Sequence, residues 1–138
     1  MNRSIRILGM GLILLALLSL GGCSWLFGLF GQAVVIGPIA WDKDATEWRD
    51  NTYWTYTVTL PAGIPSAADV WGTDVYTDDS SIGSAAVHAG HLNSTTGGTV
   101  KIQILPGRSS YNGSTGGEGI VSQDYGAWDG SFKFLDID

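Results

Sequence analysis

One cysteine, two histidines and seven basic side chains in 138 residues are the scarcities that bound this chain. The lone Cys23 leaves no intrachain disulfide, so an exported fold must be held by packing alone. Thirteen acidic against seven basic residues give a formal charge of −6, which excludes nucleic acid as a partner, because a binder needs a basic footprint to displace counterions. His88 and His91 have no further ligand group at a zinc-like spacing, and Gly90 should send their imidazoles apart. Neither a GxSxG elbow nor an SxxK motif occurs for a nucleophile. The glycine-rich runs GGTVK and STGGEG do not end in Gly-Lys-Ser/Thr, so nothing cradles a phosphate. No cofactor and no metal site is expected.

What is abundant at the start is apolar. Arg3 and Arg6 precede an uncharged, Leu-rich stretch from Ile7 to Leu20, the layout of a secretory signal. Leu20-Gly21-Gly22-Cys23 then resembles a bacterial lipobox, which implies cleavage after residue 22 and a diacylglycerol on the thiol of Cys23. The alternative is an uncleaved transmembrane helix, since no charge stands between Ile7 and Trp41, but glycines at 21, 22, 28 and 31 weaken it. We read 1–22 as a lipoprotein signal, 23–38 as the lipidated cysteine with an apolar membrane-proximal segment, and 39–138 as the folded domain. Trp25, Phe27 and Phe30 suit the acyl boundary beside such an anchor, and the assignment of 34–40 is left open between tether and core. Without Arg3 and Arg6 the remaining chain carries 5 basic against 13 acidic side chains, a balance that disfavours a bare anionic lipid surface. Ser24 after the cysteine fits the sorting pattern of outer-membrane lipoproteins, facing the periplasm if the cell is Gram-negative.

Strand signals dominate the rest. In YWTYTVTL, Trp54, Tyr56, Val58 and Leu60 alternate with Tyr53, Thr55, Thr57 and Thr59, the pattern of a half-buried strand. TVKIQIL repeats it with Val100, Ile102 and Ile104 inward, and Pro106-Gly107 reads as its closing turn. Further strands are expected at VWGTDVY, bent near Gly72, at GIVSQ, and at SFKFLDI with Phe132 and Phe134 inward.

One segment breaks the pattern. SSIGSAAVHAGH carries both histidines and predicts a short helix from Ser81 to Ala89, capped by Asp78, Asp79 or Ser80 and stopped at Gly90. Ile82, Ala85, Ala86 and Ala89 share one side at helical spacing. Barely three turns cannot hold themselves in water, so tertiary packing must stabilise them, and side chains this small let sheet residues approach closely. His88 is therefore read as a buried, paired histidine that serves architecture.

These residues carry a resemblance. VWGTDVYTDDSSIGSAAVHAG, GGTVKIQILPGRSSYNGS, GIVSQDYG and SFKF resemble the LCCL domain family in its order and spacing, and the match covers roughly residues 45 to 138. The family motif falls on Tyr76, Ser80, Ser81, Ala85, Ala86, His88, Ala89 and Gly90. The resemblance implies an α+β fold, a short central helix wrapped by two incomplete, mainly antiparallel β-sheets. It departs from the family where members commonly have CPxxC and SSIC: Leu60, Ile64 and Gly83 stand at the cysteine positions. It also implies a non-catalytic binding module, with lipopolysaccharide or another glycan or lipid as the ligand class, and the membrane as partner through Cys23. A structural envelope protein recognising a protein partner is the alternative, and a hydrolase is the third. Of the tryptophans at 41, 48, 54, 71 and 128, most are expected to fill the core, and an exposed one would suit stacking on sugar rings.

Overall fold

The structure, a computed structural model, describes residues 31–63 and 68–137. The signal segment, Cys23, the aromatic residues that follow it and Ile64 lie outside the described residues. Strands β1 (Ala33–Pro38), β2 (Thr55–Leu60), β3 (Gly72–Thr73), β4 (Val75–Thr77), β5 (Gly98–Arg108) and β6 (Trp128–Leu135) surround one helix in sequence, α1 (Ile82–His88). They join a single sheet in the order β1-β2-β5-β6-β4-β3, with β1 parallel to β2 and the remaining pairs antiparallel.

Alternation sets which face is buried. Tyr56, Val58 and Leu60 of β2 pair with Ile102, Val100 and Gly98 of β5, and Ile104 and Ile102 pair with Phe132 and Phe134 of β6. These apolar side chains form the core with Tyr76, Ile82, Ala85 and Ala86, while the intervening threonines stay half-buried on the outer face. Full burial of each large aliphatic side chain contributes about 1.5–3 kcal/mol, the force available to a domain whose helix cannot stand alone.

Helix α1 lies against this core face with every residue from Ile82 to His88 buried. Ser81 is its N-cap: its hydroxyl accepts from the Ser84 amide at 3.1 Å and donates to the Trp41 carbonyl at 2.6 Å. The cap expected at Asp78, Asp79 or Ser80 is thus displaced by one position or more. Ser80 is engaged elsewhere, accepting from the Trp71 amide at 3.0 Å, and Asp78 is held by Arg49. At the other end Ala89 is exposed, Gly90 takes φ +82°, and the amides of Gly90 and His91 reach back to Val87 and Ala86. This is a Schellman closure, and a side chain at the left-handed position would strain it.

Four further expectations are corrected. All six described strands belong to one hydrogen-bonded ladder where two incomplete sheets were implied, and loop residues Trp41, Gly116 and Gly117 close on α1 where a second sheet was expected. Pro106-Gly107 does not end β5, which continues to Arg108; a Cβ at Gly107 would meet the Trp128 carbonyl, so the glycine admits the neighbouring backbone instead of turning the chain. GIVSQ contributes only isolated bridges, Val121 to Thr115 and Gln123 to Trp71, and VWGTDVY is two short strands folded back at Asp74, whose φ is +65°. Ala33–Pro38, most of which the sequence leaves open between tether and core, is an edge strand of the sheet.

Gly83 explains how the domain closes without the family's cysteines. A Cβ there would come within 2.6 Å of the Leu60 Cδ2 atom and closer still to the Trp41 ring, so Leu60 and Trp41 fill the space beside the helix. Helix propensity alone would make Gly83→Ala stabilising by roughly 1 kcal/mol. We expect the opposite sign, a loss of about 1–3 kcal/mol from overpacking, read from the urea midpoint at unchanged m-value.

Candidate functional site

Tyr76, on β4, and His88, in the last turn of α1, face each other inside the domain. The Tyr76 hydroxyl lies 2.8 Å from His88 Nδ1, and His88 Nε2 lies 3.1 Å from the Ser114 carbonyl. A carbonyl can only accept, so Nε2 carries the proton, Nδ1 is the acceptor and Tyr76 donates to it. The imidazole is 5% exposed and both nitrogens are engaged. Gly116 lies flat against the ring, where a Cβ would strike the His88 carbonyl and ring carbons. Burial pushes the Tyr76 phenol up to about 12, because the phenolate would lose its water.

The sign of the pH dependence follows. Tyr76 holds its proton in the folded state between its ordinary value of 10 and about 12, whereas the unfolded chain releases it. This contribution to stability is present below pH 10 and is lost as pH rises toward 12. Tyr76→Phe should lower the melting temperature at neutral pH and flatten its decline across that alkaline window, as thermal melts at stepped pH would show.

A serine hydroxyl also stands near this imidazole. Ser114 Oγ is 3.3 Å from His88 Nε2 and 2.7 Å from Thr73 Oγ1. Hydrolytic geometry would require Nε2 to take a proton from that hydroxyl and an acid to orient Nδ1. Here Nε2 already bears a proton, and a tyrosine occupies the orienting position. His91 points elsewhere, its ring 5.2 Å from that of Phe134. Among the described residues no group of three His, Cys, Asp or Glu side chains converges on one point.

A second buried cluster escaped the sequence entirely. Asp78 is fully buried, and its carboxylate accepts from Arg49 Nε at 2.6 Å, Arg49 Nη2 at 2.8 Å and Trp128 Nε1 at 2.8 Å. The Arg49 guanidinium lies 5.5 Å from the Trp128 ring centre, and the hydrogen bond to Asp78 raises its already high pKa. Gly130 lets the carboxylate approach, since a Cβ there would overlap it. The sequence offers Asp78 as a helix cap; no spacing signals partners 29 and 50 residues away.

The tryptophans divide into two sets. Trp48 is buried and stacks on Tyr56 at 4.3 Å, and Trp41 and Trp54 pack against the core. Trp71 and Trp128 lie outside that cluster. Tyr125 stands edge-on between them, 6.0 Å from Trp71 and 5.6 Å from Trp128, and is 42% exposed. The exposed Gln123 and Asp124 precede it. This aromatic ledge is the candidate binding surface. Its Trp128 end is held rigid from behind by Asp78. On another side, where β4 and β6 meet the end of α1, a partly open depression of 260 Å³ is lined by Asp74, Val75, Ala89, His91, Lys133 and Phe134.

Comparison with known proteins places this architecture. The LCCL domain family model matches residues 40–132. The chain belongs to the LCCL domain family. Cochlin from Cavia porcellus is 45% identical over 76 residues, covering 54% of this chain and 14% of cochlin. Human cochlin is 43% identical over the same length, and human vitrin is 38% identical over 82 residues, 59% of this chain and 12% of vitrin. The matches thus span about one seventh of these relatives' length or less. The family motif residues Tyr76, Ser80, Ser81, Ala85, Ala86 and His88 are all buried around α1, and Ala89 and Gly90 form its exposed terminus.

Proposed function

We propose that this chain is an exported lipoprotein of the bacterial cell envelope, anchored through a lipidated Cys23. Its LCCL domain is a non-catalytic module that binds a glycan or glycolipid of the lipopolysaccharide class. The observation that carries the binding reading is the division of labour among the polar and aromatic groups. His88 and Asp78 spend their hydrogen-bonding capacity on internal partners, whereas Trp71, Tyr125 and Trp128 lie outside the core with amide and carboxylate neighbours. Rigid aromatic faces beside such groups suit the apolar face and the hydroxyls of a sugar ring.

The test is binding of the purified full-length chain to glycan and glycolipid arrays beside an envelope pull-down. Tyr125→Ala should abolish glycan retention without changing the melting temperature. Retention of no glycan or lipid, with capture of one envelope protein, would instead establish the protein-partner alternative.

A further inference from the structure

The outer face of the sheet has a charge the rest of the chain does not share. Register places Val35, Thr57, Lys101 and Leu135 in one row across β1, β2, β5 and β6. Val35 is 82% exposed. In the adjoining row Lys133 lies opposite Gln103, diagonal to Lys101 on the same face. Neither lysine forms an ion pair among the described residues, unlike Lys43 with Glu47 and Arg49 with Asp78. No carboxylate stands in these rows, although acidic residues outnumber basic ones 13 to 7. The outward Asp129 lies beyond Ser131, which Tyr111 covers with a hydrogen bond. Asp74, which lines the depression with Lys133, and Asp136, which follows Leu135, border the face without standing in its rows. Tyr53, 52% exposed, adjoins it through Gln103, whose amide donates to the Tyr53 carbonyl at 3.3 Å.

We propose that this row is the face the domain lays on an anionic phospholipid surface, with Lys101 and Lys133 on lipid phosphates and Val35 at the headgroup boundary. This rests on the proposed lipid anchor at Cys23. Strand β1 begins ten residues after Cys23, and ten residues extend at most about 33–36 Å, so anchoring holds this edge of the sheet close to the bilayer. The net negative charge does not forbid the contact. At physiological ionic strength only charges within about 8 Å of the lipid are felt strongly, and on this face those charges are lysines. Each lysine near an anionic surface favours the contact enough that neutralising both should shift the docked orientation about thirtyfold.

The test uses the full lipidated chain with Thr57→Cys, labelled by an environment-sensitive fluorophore; the acylated Cys23 is unavailable to the label. On vesicles containing phosphatidylglycerol the emission should shift to the blue, and on pure phosphatidylcholine it should not. Lys101→Gln with Lys133→Gln should abolish the shift while the protein still floats with the vesicles. Asp74→Asn should strengthen it. Flotation on both vesicle types reports the anchor by itself, so loss of flotation indicts lipidation and not the docking face. A probe at residue 57 that stays water-like on phosphatidylglycerol, in protein that floats, overturns the proposal. So does an equal shift from a label at Asn112→Cys, on an exposed loop outside the sheet.

Discussion

Arg49→Met should cost the domain about 3–5 kcal/mol, the range found when one partner of a buried ion pair is removed. It should cost more than Asp78→Asn. The asymmetry comes from solvent access: the Arg49 side chain is 34% exposed, whereas that of Asp78 is fully buried. Methionine keeps an apolar stem against Trp128 but strands a carboxylate whose remaining side-chain donor is the indole N–H. Asparagine keeps the shape of Asp78 and leaves a guanidinium that water can still reach. Chemical denaturation of both variants and of the double variant gives the comparison. Equal losses would mean that solvent reaches the carboxylate and that the clamp is a surface pair, worth about 0–1 kcal/mol. Because Trp128 borders the aromatic ledge, Arg49→Met should also loosen Tyr125, visible as faster ring motion in solution spectra.

What could be read from the chain and what could not separate by range. Alternation is local, so Tyr56, Val58 and Leu60 on β2 and Val100, Ile102 and Ile104 on β5 fall on the correct face before any pairing is known. The helix was legible for a similar reason, from alanines at helical spacing and a glycine stop. Its cap was misassigned because TDDSS offers several good capping side chains in a row, and tertiary partners decide among them: Asp78 is taken by Arg49 and Ser80 by Trp71. Pro106-Gly107 misled because a turn signal and a close-approach signal look alike in one dimension, and only β6 lying beside Gly107 distinguishes them. The parallel pairing of β1 left no mark, since its neighbour β2 is reached only after some sixteen intervening residues. The clamp and the ledge bring together residues 49, 78, 125 and 128, a coincidence of topology that no local pattern encodes.

His88→Ala carries the second large effect, and it tests what the buried imidazole is for. Truncation removes a ring packed edge-on against Tyr76 at 5.7 Å and flat against Gly116. It leaves the buried Tyr76 hydroxyl without its acceptor, whereas the Ser114 carbonyl keeps the Ser122 amide as donor at 2.8 Å. An orphaned buried polar group costs about 1–3 kcal/mol, and the cavity adds to it, so a loss of about 3–4 kcal/mol is expected, with a melting temperature lowered accordingly. Glycan retention per folded molecule should stay near the wild-type value, because the ledge at Tyr125 does not include His88. His88→Gln should recover part of the stability if its amide can still bridge Tyr76 and Ser114. The opposite outcome is equally specific. A His88→Ala protein that melts normally yet loses ligand binding or turnover would make the imidazole a working group at Ser114 and Thr73. The paired, protonated Nε2 described here would then not be its functional state.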